Sequence, residues 1–285
     1  MDSKCSPIES DNNYSCIDSD IIKEIGNIFN NEFKLNINLK KNTKSIYNDI
    51  IKHLKHLNKD CTSEVCLKYM NIIKNNLSKD KLKRFINSFK PDMPNEWINN
   101  YNMWLNTKDL NEVMEQYEKS DNRFRFYGPT PIDFKLKDNN GDCKVDELCK
   151  FDLKDNLNNN KTKIGIIFNT DPHHKSGEHW ISMYIDCKNN NMDIPCIYFF
   201  DSTGEEAPSE IMELVDEIKN QGINNNITFT YLWNNKEHQK GTTECGVYSL
   251  NFLISMINNE NFVNYTNNIK NDKYMEKYRK KYYNI

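Results

Sequence analysis

Apolar residues recur at helical spacing through the first 118 positions. Ile21, Ile22, Ile25, Ile28 and Phe29 share one face of a predicted helix, and Ile46, Ile50, Leu54 and Leu57 share one face of a second. Val65, Tyr69, Met70, Ile73 and Leu77 predict a third, with Thr62 or Ser63 as its N-cap. Pro91 and Pro94 interrupt the pattern. It resumes through Trp97, Ile98, Tyr101, Trp104 and Leu105, then through Leu110, Val113, Met114 and Tyr117. Near residue 120 the period changes. Phe124, Phe126 and Tyr127 lead to a Gly128-Pro129-Thr130-Pro131 breaker. Short β-type runs follow at 164–168, 180–185, 197–200 and 227–233. Between the last two lies an amphipathic helix bearing Ile211, Leu214, Val215 and Ile218. A last strong helix is predicted to start at Cys245 and to carry Val247, Tyr248, Leu250, Phe252, Leu253 and Met256. Strands gathered after a helical segment predict an α+β fold. The expected division is an acidic flexible tail at 1–18, a helical arm domain at 19–120 and a core domain at 121–285.

Composition narrows the function classes. At 285 residues, with 37% hydrophobic and 12% aromatic residues, the chain can build a substantial core. Its mean hydropathy of −0.84 owes much to asparagine, which fills 46 positions. This richness, with abundant Lys and Ile, fits an AT-rich genome and carries no functional weight. No apolar run nears the roughly 20 residues of a membrane helix, and the N-terminus has no basic-then-apolar signal segment. A net charge of −3 argues against a wholesale nucleic-acid binder. The nine glycines form neither a G-x-G-x-x-G nor a Walker pattern. Nine cysteines is an odd number, and the pairs Cys61/Cys66 and Cys143/Cys149 are spaced too widely for a zinc knuckle, so reduced thiols in an intracellular setting are expected. The glycosylation-type triplets at Asn226 and Asn264 are then chance matches.

One cysteine stands in a reactive context. The stretch from Gln239 through Gly241, Thr243 and Glu244 to Cys245-Gly246 passes from polar turn to apolar helix. A thiol at a helix start meets the positive end of the dipole and free backbone N–H groups, which stabilise negative sulfur. His179, just before the Trp180 strand, is the candidate base, whereas His173 and His174 lie in an exposed-looking loop. Asp201 ends the apolar run Tyr198-Phe199-Phe200 and can orient an imidazole. Gln239, six residues before Cys245, can donate its amide to a developing oxyanion together with the Cys245 N–H. Each residue alone is more often structural; their order and context carry the case.

The order His-Trp, then Asp, then Gln, then Cys-Gly resembles the adenain and Ulp/SENP group of cysteine proteases. The flanking runs around Asn169, Ser176-Gly177-Glu178-His179-Trp180, Asp201-Ser202-Thr203-Gly204, His238-Gln239 and Glu244-Cys245-Gly246-Val247 are most similar to the polyprotein-processing proteases of the African swine fever virus type, from large DNA viruses. The resemblance is specific over about 165–255. That type has Asn where this chain has Asp201; both side chains can accept the imidazole N–H. The resemblance implies a papain-like or adenain-like core, a central mixed sheet flanked by helices, preceded by a helical arm. It implies Cys245 as nucleophile, His179 as general base, Asp201 as orienter and Gln239 in the oxyanion hole, with Trp180 in a narrow substrate slot. It further implies cleavage of viral structural polyproteins after Gly-Gly during virion maturation, without metal or organic cofactor, in the virion and at assembly sites in the host cytoplasm. The alternative substrate is a SUMO- or ubiquitin-like tail. Two other classes are a zinc site built from His173, His174, His179 and a Cys, and an inactive module that kept the fold. Lys40, Lys41, Lys44, Lys52, Lys55 and Lys59, and six Lys/Arg within 270–281, form basic faces that allow weak DNA contact. No membrane partner is expected.

Overall fold

The computed structural model describes residues 4–57, 59, 61 and 63–284. The chain forms two compact units: residues up to Asp92 together with Asn284, and Met93–Tyr283. The division therefore falls near 92, between the two interrupting prolines, and the helix after residue 106 belongs to the second unit.

The first unit is helical. It contains α1 (Ser19–Phe33), α2 (Thr43–Leu57), a 3-10 turn (Glu64–Tyr69), α3 (Asn71–Asn76) and α4 (Lys79–Asn87). The stripes read from the sequence become its core: Ile21, Ile22, Ile25 and Phe29 of α1 pack with Ile46, Ile50 and Leu54 of α2, and Phe85 and Phe89 join them. Where one helix is expected over 63–77, the chain makes the turn and α3. Ser63 precedes the turn without a capping bond, and Thr62 lies outside the described residues. Residues 4–18 are not a loose tail. Cys5 and Cys16 form a disulfide, Cys16 and Ile17 are buried, and Ser15 Oγ and the Cys16 N–H donate to Glu64 at 2.5 and 3.0 Å. Cys61–Cys66 and, in the second unit, Cys143–Cys149 are also disulfides, so six cysteines are paired where reduced thiols are expected. Sequence spacing excluded a metal knuckle but held no information on which thiols the fold brings together.

The second unit contains α5 (Thr107–Ser120), β1 (Phe124–Pro131), α6 (Asp146–Cys149), α7 (Leu153–Asn158), β2 (Lys163–Asn169), β3 (Trp180–Asp186) and β4 (Cys196–Phe200). It continues through α8 (Ser209–Asn224), β5 (Thr230–Trp233), α9 (Cys245–Ile257), α10 (Phe262–Asn267) and α11 (Asp272–Tyr282). The strands form one mixed sheet in the order β1-β2-β3-β4-β5. The outer pairs β1/β2 and β4/β5 are parallel and the inner pairs antiparallel. β2, β3 and β4 are buried at every position, because side chains alternate between two covered faces. Trp180, Tyr184, Tyr198 and Phe200 meet α5, α9 and α11; Ile181, Met183, Ile185, Ile197 and Phe199 meet α8.

Two segments differ from the sequence pattern. The Gly128–Pro131 breaker lies inside β1, accommodated by a register shift against β2 between Tyr127 and Thr130. The apolar run 97–105 is not a continuous helix: a 3-10 turn spans Asn95–Ile98, and α5 begins afresh after Asn106. A capping box fixes that start. Asn106 accepts from the Asp109 N–H at 3.0 Å while Asp109 accepts from the Asn106 N–H at 2.9 Å. Trp104 is thereby left in a loop, 44% exposed.

Candidate active site

Cys245 is the first residue of α9, at the positive end of a helix whose buried face fills the sheet's packing layer. His179 directly precedes β3. The loop that carries it is organised by Asn169, whose Oδ1 accepts from the N–H groups of Asp171 at 2.9 Å and Glu178 at 3.3 Å. The Thr170 N–H donates to the His179 carbonyl at 2.9 Å. Asp201 directly follows β4 and opens a tight turn in which the Gly204 N–H reaches the Asp201 carbonyl at 3.0 Å. Gly204 has φ +79, and a Cβ there would lie 2.7 Å from the Lys236 backbone carbon. The turn thus needs glycine both for its conformation and for its close approach to the next segment.

These elements bring the candidate residues together. His179 Nε2 and Asp201 Oδ1 are 2.8 Å apart, and the Cys245 thiol neighbours the same imidazole. Since Nε2 faces Asp201, Nδ1 is the ring nitrogen left for the sulfur. Burial, the strongest single influence, disfavours the imidazolium. The hydrogen bonds and negative charge of Asp201 and Cys245 together outweigh it and raise the His179 pKa to about 10. Asp201 Oδ1 is also held by the Thr203 N–H and Oγ1, each at 2.8 Å. Gln239 is joined to the same turn. Ser202 Oγ donates to its Oε1 at 2.8 Å, its Nε2 donates to the Gly241 carbonyl at 2.8 Å, and its N–H donates to the Ser202 carbonyl.

A supporting shell surrounds them. Asn234, 2% exposed, accepts from the Asp201 N–H at 3.0 Å and donates to the Asp201 carbonyl at 2.8 Å, gripping that residue's backbone from both sides. Ser249, one turn beyond Cys245, donates to the Trp180 carbonyl at 3.2 Å and so ties α9 to the strand after His179. Tyr248 OH donates toward the carbonyls of His238 and Lys270, while Asp272 accepts from the N–H groups of Lys240 and Gly241, pinning the Gln239 loop to α11. Glu244, just before Cys245, is buried in an ion pair with the fully buried Arg279. His238 is a core residue, its pKa lowered by burial. Of these, Asn234 and Ser249 carry no sequence signal for a site role, and Arg279 reads from the sequence as part of the basic run.

Trp180 donates its Nε1–H to the Leu105 carbonyl at 2.8 Å. It walls a cleft of about 410 Å³ together with Trp104, Leu105, Pro129, Asn169 and His173. Gly246 lies under this wall: a Cβ there would sit 3.0 Å from Leu105 and 3.3 Å from Trp180. The alternative zinc grouping is not assembled, because His179 is engaged with Asp201 and Cys245 while His173 and His174 cluster with Asp133. The basic run at 270–281 is reduced as a surface: Arg279 and Lys270 are buried, and the Lys270 ammonium lies 3.9 Å from the centre of the Tyr265 ring. Among the described residues no helix is long and apolar enough to cross a membrane.

A thiol at a helix start, a histidine beside it, and a carboxylate behind that histidine form an arrangement able to attack carbonyl carbon and pass a proton to the leaving group. Fold and sequence relationship together define an Ulp/adenain-like cysteine protease. The chain belongs to the YopJ Serine/Threonine acetyltransferase family, whose model matches residues 79–284. It is 28% identical to a protein of Acanthamoeba polyphaga mimivirus provisionally named a thiol protease, over 93% of this chain and 87% of that protein. It is also 28% identical to the SUMO-1 cysteine protease of African swine fever virus (isolate Pig/Kenya/KEN-50/1950), over 40% of this chain and 41% of that protein. The crystal structure of the African swine fever virus protease superposes with a TM-score of 0.66 at 18% identity, covering 100% of this chain and 97% of that one, which shows the shared α+β fold.

Proposed function

We propose that the protein is a cysteine endopeptidase that cleaves viral structural polyproteins, preferring Gly-Gly-X sites, during virion maturation. The proposal rests on the His179 Nε2–Asp201 Oδ1 hydrogen bond of 2.8 Å set beside the Cys245 thiol at the start of α9. In the proposed reaction the Cys245 thiolate attacks the scissile carbonyl, and the oxyanion is stabilised by the Cys245 N–H and the Gln239 amide. The His179 imidazolium protonates the leaving amine at Nδ1, then takes a proton from the water that opens the thioester. Asp201 accepts from Nε2–H throughout and stabilises the imidazolium. The cleft past Trp180 receives the extended substrate chain. The Gly-Gly preference and the polyprotein substrate rest on the family resemblance and on the viral relatives. The assigned sites of action, in the virion and at assembly sites in the host cytoplasm, rest on the same relatives. Weak DNA contact through the remaining exposed lysines of the two basic faces belongs to the same proposal.

Two further substrates share this chemistry. A SUMO- or ubiquitin-like tail is favoured by the name of the African swine fever virus relative. Acyl transfer to a Ser or Thr hydroxyl is favoured by the family match; Cys245 would take the acetyl group from acetyl coenzyme A as a thioester, releasing the coenzyme A thiol, and a hydroxyl in place of water would then accept it. Incubating wild type and Cys245→Ser with a Gly-Gly-X capsid precursor, a SUMO precursor, and acetyl coenzyme A plus an acceptor protein, with mass analysis of all products, separates the three. New termini in the capsid precursor alone are expected. An acetylated acceptor without any cleaved bond would overturn the proposal.

A further inference from the structure

We propose that Asp133, His173 and His174 form a binding site for one divalent transition-metal ion of the zinc class, at the rim of the cleft. One carboxylate oxygen and one ring nitrogen from each histidine lie within 4.8 Å of one another. The donor set, two imidazoles and a carboxylate with open positions for water, suits zinc and its neighbours and not calcium or magnesium, which demand oxygen ligands. Zinc holds such donors at about 2.0–2.2 Å, so closure needs only small side-chain rotations, which the half-exposed and exposed positions allow.

The site is preorganised by backbone. The His173 N–H donates to Asp133 Oδ1 at 2.8 Å, and the Ile132 N–H donates to the Asp171 carbonyl at 3.3 Å, so the segment after β1 and the loop before β3 are already clamped together. His173 Nδ1 lies 2.6 Å from Asp133 Oδ2, and the His174 ring stands edge-on to that of His173 at 5.4 Å. The ammonium of Lys175, next to His174 in the chain, is paired with Asp171 at 3.5 Å. His173 also lines the cleft, so a bound ion would stiffen one of its walls. This site shares no residue with the Asp201–His179–Cys245 series, and its existence does not depend on what that series does.

The test is cobalt and zinc titration of the full chain carrying Cys245→Ala, with disulfides intact and no thiol reductant. One equivalent of Co²⁺ should bind, giving visible d–d bands and no thiolate-to-metal charge-transfer absorption, and Zn²⁺ should displace it. His173→Ala and His174→Ala should each weaken binding at least about tenfold, and zinc should slow amide hydrogen exchange over residues 170–178. Absence of binding, affinity unchanged in the double His173→Ala/His174→Ala variant, or binding abolished instead by His179→Ala would each overturn the assignment. Circular dichroism matching the parent keeps a misfolded variant from counting.

Discussion

Arg279 offers the sharpest test of how the start of α9 is held. Its guanidinium is fully buried and donates to Glu244 through Nε at 2.9 Å and through an η-nitrogen at 2.8 Å, and its other η-nitrogen reaches the Met103 carbonyl at 2.9 Å. It also lies 4.5 Å from the Trp97 ring centre. Burial pushes the Glu244 carboxyl upward, and the Arg279 contacts oppose that shift. Removing one member of such a pair strands the other, at a cost of about 3–5 kcal/mol. With a urea m-value of about 2 kcal/mol/M, Arg279→Met should lower the unfolding midpoint by about 1.5–2.5 M. All four tryptophans, at 97, 104, 180 and 233, lie in the second unit, so fluorescence follows that unit alone. The double variant Glu244→Leu/Arg279→Met removes both charges and should recover most of the loss. A midpoint shift below about 0.5 M for the single variant, or a double variant as unstable as the single, would refute the argument.

The raised His179 pKa has a signed consequence. A folded value of about 10 against an ordinary 6.5 contributes stability that is complete below pH 6.5 and lost as pH rises toward 10. The stability difference between wild type and His179→Gln should therefore be largest near pH 6 and vanish near pH 10.5. Asp201→Asn keeps an acceptor but removes charge, so it should shift the alkaline limb of the activity profile to lower pH, seen in kcat/KM against pH. Asn234→Ala frees the Asp201 backbone and should lower kcat by up to about 100-fold with KM little changed. Iodoacetamide applied to native, unreduced protein should label Cys245 alone, because burial pushes the Cys187 thiol up to about 12 and raises that of Cys196; peptide mapping reads this directly.

Much of the fold was legible because its periods are strong. The α1 and α2 stripes, the four β-type runs and the helix starting at Cys245 all follow from apolar spacing that tertiary packing rewards. Trp104 reads as helical from the sequence because an apolar residue at helical spacing looks the same whether the helix continues or the Asn106–Asp109 capping box starts a new one. Asn234 had no signal: one buried asparagine among 46 is invisible without knowing which backbone it grips. Arg279 reads as one of a basic run, yet it falls on the same face as Met275 and Tyr282, the buried side of α11. A charge inside an apolar stripe is the signal that could have marked it. The disulfides depend on spatial proximity that sequence spacing does not encode. The grouping of His179, Asp201, Gln239 and Cys245 was suggested by motif order; their catalytic roles are the proposal above.

An electrophilic peptide probe ending in Gly-Gly, read by intact mass and peptide mapping, reports on the site itself. One probe per chain should attach, at Cys245, with labelling lost in Cys245→Ala and strongly slowed in His179→Ala. Labelling at another cysteine, or labelling of Cys245 at the same rate without His179, would contradict the proposed roles of Cys245 and His179.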